Sequence, residues 1–127
     1  MNPKYFVRGA EVPAYAPANH EHTRNQRLIG PANGARHMEI VLGTIARGGG
    51  ALPHAHPGIE QACYLLQGTA RAQVGGASFD MAPGDACFFP AGEPHVFTVT
   101  SEQPAKVLVV YTPPYLEDPA RVVREAA

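Results

Sequence analysis

Three histidines and a nearby oxygen donor stand at spacings that suit a metal site. His54 and His56 are separated by one residue, Glu60 and Gln61 follow closely, and His95 lies further along the chain. Side chains two positions apart on a β-strand face the same side of a sheet, so the first two imidazoles can point into one site. Three imidazole nitrogens and one oxygen donor are enough to hold a divalent transition metal ion.

The elements that must position these residues have a β pattern from residue 38 onward. Two adjacent glycines, Gly75-Gly76, favour a two-residue hairpin loop. Strands that recur every 8 to 12 residues or so, with turn signals between them, indicate a sandwich or barrel. The predicted strands are 38–46, 62–67, 70–74, 77–81, 85–89, 95–100 and 106–112.

The first 37 residues contain several prolines that interrupt any long element. We expect an irregular arm with short strands near 5–7 and 26–29. A second His-x-His pair, His20 and His22, lies in this arm. Without glycine-anchored strands around it, this pair is interpreted as a surface or subunit contact rather than a second metal site.

The end of the chain carries a helix-start signal. Asp118 followed by Pro119 is typical of an N-cap and first helical residue. A short C-terminal helix is therefore predicted from residue 118 to about residue 125.

Composition describes one globular domain over residues 1–127. Hydrophobic residues make up 45% of the chain, and the formal net charge is -1. There is no basic excess to attract nucleic acid, no apolar run long enough for a membrane span and no secretion signal. Two cysteines, Cys63 and Cys87, are too few for a disulfide framework. A cytoplasmic location is the simplest expectation.

The residues around the histidines resemble the two motifs of the cupin family. The segment resembling the first motif contains Gly48, His54, His56, Gln61 and Gly68, and the segment resembling the second contains Gly84, Pro90, Gly92 and His95. The glycines are interpreted as turn positions that need unusual backbone angles. The chain is thus identified as similar to small single-domain cupins of the RmlC-like superfamily.

The resemblance covers about residues 38–112 and implies an all-β fold, a double-stranded β-helix (jelly-roll) barrel. Residues 1–37 would then form an N-terminal arm, and residues 113–127 a tail with the short helix. Members of the family are commonly homodimers with one metal ion at the open end of the barrel. The arm could support a dimer by adding a strand to a neighbour's sheet edge.

The resemblance also implies the metal ligands: His54, His56, His95 and an oxygen donor. Spacing from the motif's last glycine favours Gln61, with Glu60 as the alternative, because only one of two adjacent strand residues can face the barrel interior. A neutral glutamine leaves the charge of a divalent ion uncompensated, which favours an anionic ligand. Zn, Fe, Ni, Mn and Cu all suit such a shell.

The same alternation predicts which side chains line the substrate pocket. Cys63 and Leu65 share the face of Gln61, and Phe97 shares the face of His95. Met38 is a further candidate pocket residue, on a face with Ile40 and Leu42 that we expect to be core. The Cys63 thiol is interpreted as buried and inert rather than reactive.

The leading functional prediction is a metal-dependent enzyme acting on a small anionic metabolite by isomerase- or lyase-type Lewis-acid chemistry. It rests on the glutamine-containing ligand set and on resemblance to cupins that act on unsaturated uronates. Two alternatives remain: a non-haem Fe(II) dioxygenase, and a non-catalytic barrel that binds a metabolite. No general base is evident in the sequence.

Overall fold

The computed structural model describes residues 4–124, which form nine β-strands and three single turns of 3-10 helix. The strands are β1 His20–Ile29, β2 Glu39–Ala55, β3 Glu60–Gln67, β4 Ala70–Val74, β5 Ala77–Met81, β6 Ala86–Phe89, β7 His95–Val99, β8 Ala105–Thr112 and β9 Val123–Arg124. The 3-10 turns are Gly9–Glu11, Pro31–Asn33 and Pro119–Arg121.

The strands form a nearly closed antiparallel barrel, which confirms the predicted all-β jelly-roll fold. Their order is β5-β4-β7-β2-β8-β3-β6, and both β1 and β9 pair with β2. Strand β2 is therefore the central element, because it contacts both the N-terminal and the C-terminal strand.

The barrel interior is filled by the inward-facing residues of each strand. In β3, for example, Gln61, Cys63 and Leu65 are buried while the residues between them are exposed. This alternation is what a sheet with one covered face requires. The apolar core includes Val41, Ile45, Leu65, Ala72, Phe89, Val99 and Val107.

The inward face of β2 is opposite to the predicted one. Val41 and Ile45 are buried, whereas Ile40 and Leu42 are only half-buried and Met38 is 38% exposed. The prediction of Met38, Ile40 and Leu42 as core was therefore wrong. The apolar pattern misled because the buried face of this strand begins with a charged residue, Glu39.

Glu39 is 1% exposed and is held by three hydrogen bonds from different parts of the chain. Arg27 Nε of β1 donates to its Oε2 at 2.7 Å, and the backbone amides of Tyr115 and Leu116 donate to its Oε1 at 3.1 and 2.9 Å. A buried carboxylate is tolerated only with such partners. Glu39 therefore ties β1 and the C-terminal tail to the barrel.

The predicted turn glycines have the backbone angles expected of them. Gly48, Gly68, Gly84 and Gly92 all have positive φ. At Gly68 (φ 85°), a Cβ would also lie 2.9 Å from the Ala105 Cα. Any other residue there would be strained by both conformation and contact.

Both ends of the chain differ from the prediction. Strand β1 runs over ten residues, His20–Ile29, of which the sequence predicted only 26–29, and residues 5–7 form no strand. Strand β2 continues past residue 46, where we expected it to end, and reaches Ala55. The reason is that β1 pairs with β2, and the end of β2 pairs with β7, with register shifts in both cases. The local sequence does not encode such pairing.

The predicted C-terminal helix is a single 3-10 turn. The Asp118 side chain does accept a hydrogen bond from the Ala120 amide at 2.9 Å, as expected of an N-cap. After Arg121 the chain becomes extended, and β9 pairs with β2. Pairing with β2 thus replaces helix formation; residue 125 lies outside the described residues.

No helix within residues 4–124 is both long and apolar enough to span a membrane.

Candidate metal centre

Three histidines converge inside the barrel where β2 ends and β7 begins. His54 and His95 are directly paired across these strands, and His56 follows β2 by one residue. All three are buried, with at most 3% exposure. Their candidate ligand atoms lie within 4.8 Å of one another, so this group can hold a metal ion.

Each of these rings is oriented by a hydrogen bond from Nδ1 to a backbone carbonyl. His54 Nδ1 donates to the Leu52 oxygen at 2.6 Å, His56 Nδ1 to the Arg121 oxygen at 3.0 Å and His95 Nδ1 to the Glu93 oxygen at 3.3 Å. In a neutral imidazole this leaves the lone pair on Nε2, which is then free to bind a metal.

The surroundings keep the rings unprotonated. Burial, followed by the neighbouring His95 ring, lowers the pKa of His54 to about 3, and burial lowers that of His95 to about 4. Burial also lowers the pKa of His56. Since a metal ligand must be neutral imidazole, all three rings are in the binding form at pH 7.

The distances between the rings fit a metal ion. The Nε2 atoms of His54 and His56 are 3.1 Å apart, and His95 Nε2 is buried without a hydrogen-bond partner among the described residues. Two nitrogens bound to one ion at about 2.0–2.1 Å lie about 3 Å apart at tetrahedral or octahedral angles. Lone pairs that face each other this closely repel unless a cation lies between them.

Gln61 provides the oxygen atom next to this group, and Glu60 does not. Gln61 is buried, whereas Glu60 is exposed on the opposite face of β3. The Gln61 Nε2 donates to Cys63 Sγ at 3.6 Å, and its Oε1 is buried without a partner among residues 4–124. An unpartnered buried carbonyl oxygen is costly, and a metal ion would satisfy it.

A small cavity of about 40 Å³ adjoins the histidines. Two of the predicted pocket residues, Cys63 and Phe97, line it together with Gln61 and His95. Leu65 is fully buried in the core instead, and Met38 lies outside the cavity. Hydrogen bonding with Cys87, together with burial, raises the pKa of the Cys63 thiol, so that thiol is protonated and inert.

Aromatic rings form the wall behind the histidines. Phe89 stacks on His95 with ring centroids 4.2 Å apart and planes inclined by 8°. Tyr115, from the tail, lies 4.4 Å from the ring of His56, and Tyr111 lies 5.7 Å from it. These contacts restrict rotation of the His56 and His95 rings.

The sequence did not reveal the contributions of the two ends of the chain. Strand β1 lines the cavity with His20, Thr23 and Asn25, and the tail supplies both Tyr115 and the carbonyl of Arg121. The predicted short strand at 26–29 covered only the end of β1, and the His-x-His pair at 20 and 22 was the other local signal for this strand. Its placement depends on strand pairing with β2, which no short motif encodes.

Comparison with known proteins agrees with this architecture. The profile of the family described as cupin domain matches residues 41–111. Among solved structures, the polyketide cyclase RemF from Streptomyces resistomycificus is 27% identical, with a TM-score of 0.74 over 86% of this chain and 79% of RemF.

Two further structures share the fold at lower identity. KdgF from Halomonas sp. is 19% identical, with a TM-score of 0.76 over 86% of this chain and 94% of KdgF. A sugar phosphate isomerase of the cupin superfamily from Silicibacter pomeroyi is 24% identical, with a TM-score of 0.72 over 84% of this chain and 74% of the isomerase. Among curated proteins, none matches the sequence significantly.

Proposed function

The chain belongs to the cupin family, and on that premise we propose that it is a metal-dependent enzyme acting on a small anionic metabolite. The reaction would be of the isomerase or lyase type. The observation that carries this proposal is a cluster of three neutral imidazoles beside a small cavity, which His95 of that cluster lines together with Gln61, whose side-chain oxygen has no partner among the described residues. His54, His56, His95 and Gln61 would hold one divalent transition metal ion.

The charge of this site supports an anionic ligand. Within the described residues the cavity is lined by histidine, amide, hydroxyl, thiol and apolar groups, with no carboxylate among them. A divalent ion would therefore keep its full charge in a site of low dielectric. Such an ion, when bound, supplies Lewis-acid stabilisation of negative charge that develops on a substrate oxygen.

The size of the cavity supports a small substrate. About 40 Å³ holds only a few water molecules, at roughly 10–15 Å³ each by this kind of measure. A carboxylate or a carbonyl group can enter this space, whereas a larger molecule would have to remain mostly outside it. The buried Asn25 amide is one of the polar groups in the lining and could orient such a group by hydrogen bonding.

The likeness to RemF supports carbonyl chemistry in particular. RemF is a polyketide cyclase, and polyketides as a chemical class carry ketone groups whose neighbouring carbons lose protons readily. Loss of a proton next to a carbonyl is also the first event in many isomerisations and eliminations. A site that stabilises negative charge on a carbonyl oxygen serves all of these reactions.

We also propose a homodimer. On the outer face of β3 and β6, Tyr64, Leu66 and Phe88 are 45–52% exposed. Exposed large apolar side chains that cluster on one face are typical of a protein–protein contact. A second copy of the chain is the partner that the family resemblance favours.

The proposed activity can be tested by proton exchange in deuterated water. Protein loaded with Zn²⁺ or Mn²⁺ is mixed with small 2-oxo and 3-oxo acids, and loss of the proton next to the carbonyl is followed by NMR. We expect the wild type to accelerate exchange for some members of this set, and His54→Ala/His56→Ala to behave like free metal ion. Oxygen consumption by the iron-loaded protein, without proton exchange, would instead favour a dioxygenase.

A further inference from the structure

His20, on β1, lies at the edge of the candidate metal centre. Its ring centroid is 5.6 Å from that of His54, almost the same as the 5.5 Å between His56 and His95. It lines the same cavity as Gln61 and His95. The group of nitrogens within 4.8 Å of one another does not include it, so it stands next to the three histidines rather than among them.

The local hydrogen bond of His20 is the same as that of two proposed ligands. His20 Nδ1 bonds to the Ala18 carbonyl at 2.7 Å, two residues earlier in the chain. His54 and His95 bond in the same way to Leu52 and Glu93, also two residues earlier. The bond occupies Nδ1 and leaves the lone pair of a neutral ring on Nε2, as a metal ligand requires.

The position of His20 is set by strand pairing. Its backbone partner in β2 is Ala51, and Ala51 is in turn paired with Phe97 in β7. These cross-strand pairs are next to the pair formed by His54 and His95. The side chain of His20 therefore lies beside that of His54. His22, two residues further along β1, is exposed and has a positive φ of 49°, which marks the irregularity that separates the two histidines.

From these observations we infer that His20 is a further protein ligand of the metal ion, making four imidazoles and one glutamine. This inference rests on the metal centre of the proposed function. The His20 ring is half-buried, whereas the other three are buried, and binding of the ion would draw its Nε2 towards theirs. Strand β1 would then help to close the barrel over the site.

The direct test is to count the histidine ligands in the protein loaded with Co²⁺. In the proton NMR spectrum of a paramagnetic cobalt site, each histidine bound through Nε2 gives one strongly shifted Nδ1 proton signal that disappears in deuterated water. We expect four such signals in the wild type. Three signals would overturn the inference while leaving the metal centre intact, and no Co²⁺ binding would overturn both.

Matched variants assign the fourth signal. His20→Asn should remove one signal and weaken Co²⁺ binding, which is measured by competition with a chromophoric chelator. The loss should be at least ~10- to 100-fold, since losing only the hydrogen-bond partner of a metal ligand already costs that much. His22→Asn removes a histidine from the same strand, and asparagine tolerates the positive φ found there. It should keep four signals and wild-type affinity. Equal Co²⁺ affinity of the two variants, with four signals in each, would overturn the inference. If His20→Asn fails to fold, the number of signals in the wild type still tests the inference.

Discussion

The charge of the oxygen ligand should decide how tightly the site binds anions. Gln61→Glu keeps the size of the side chain and adds one negative charge to a residue that is only 8% exposed. The ligand nitrogens of the three histidines lie within 4.8 Å of one another, and we take a similar distance between an anion in the same shell and a carboxylate at residue 61. At an effective dielectric constant of about 20, two unit charges at this distance repel by about 3 kcal/mol.

A repulsion of this size predicts that Gln61→Glu binds an anion ~100-fold more weakly. The assay is calorimetric titration of pyruvate, a small 2-oxo acid, into Zn²⁺-loaded protein. Binding of Zn²⁺ itself should be unchanged or tighter, because the carboxylate offsets one unit of the ion's charge. Gln73→Glu, which adds the same charge on an exposed position of β4, should bind pyruvate like the wild type. Undiminished pyruvate binding by Gln61→Glu would refute the placement of Gln61 beside the ion.

The histidines, the buried carboxylate and the outer apolar surface give four more predictions. Zn²⁺ at 100 times its Kd should raise the stability of the wild type by about 2.7 kcal/mol, and His95→Ala should lose this gain in urea unfolding. The pKa values of about 3 for His54 and about 4 for His95 lie below the ~6.5 of an unfolded chain. The metal-free protein should therefore lose stability as the pH falls from about 6.5 to about 4, because the unfolded state binds protons that the folded state does not. Equal urea midpoints at these two pH values would contradict this. Glu39→Ala should cost about 3 kcal/mol, mostly because the backbone amides of Tyr115 and Leu116 lose their acceptor. An unchanged urea midpoint would show that the fold does not depend on these bonds. Light scattering should give a dimer for the wild type and a monomer for Phe88→Asp; a monomeric wild type would rule out the dimer.

Local pattern predicted the strands on which side chains alternate regularly. The segments 70–74 and 77–81 coincide with β4 and β5, and 62–67 and 106–112 differ from β3 and β8 by one or two residues. These strands have one covered face, so their burial follows the period of two that the sequence displays. Glycine turns at positive φ mark their ends, and such turns are readable because few other residues tolerate them.

The strand segments that the sequence did not predict, 20–25 of β1 and the whole of β9, depend on contacts between distant segments. Strand β1 forms by pairing with β2 across a bulge, and β9 by pairing with the far end of the same strand. Glu39 is buried only because Arg27 and two tail amides meet it there. No single segment predicts these contacts, because the hydrogen-bonding groups of each segment are satisfied by a partner that lies far away in the sequence.

The candidate site divides in the same way. The buried positions of His54, His56, Gln61 and His95 follow from short spacings within two motifs. His20 and the Arg121 carbonyl reach the site only through the pairing of β1 and β9 with β2, and their distance along the chain gives no local sign of it. The parts of a site that lie behind or beside the motif residues are therefore those that need a structure.

The most direct test is an anomalous difference map, at the absorption edge of the added metal, from a crystal of the metal-loaded protein. The account predicts one strong peak per chain, within bonding distance of Nε2 of His54, His56 and His95 and of Gln61 Oε1. A map with no peak at this position, or a peak bound to other side chains, would contradict it.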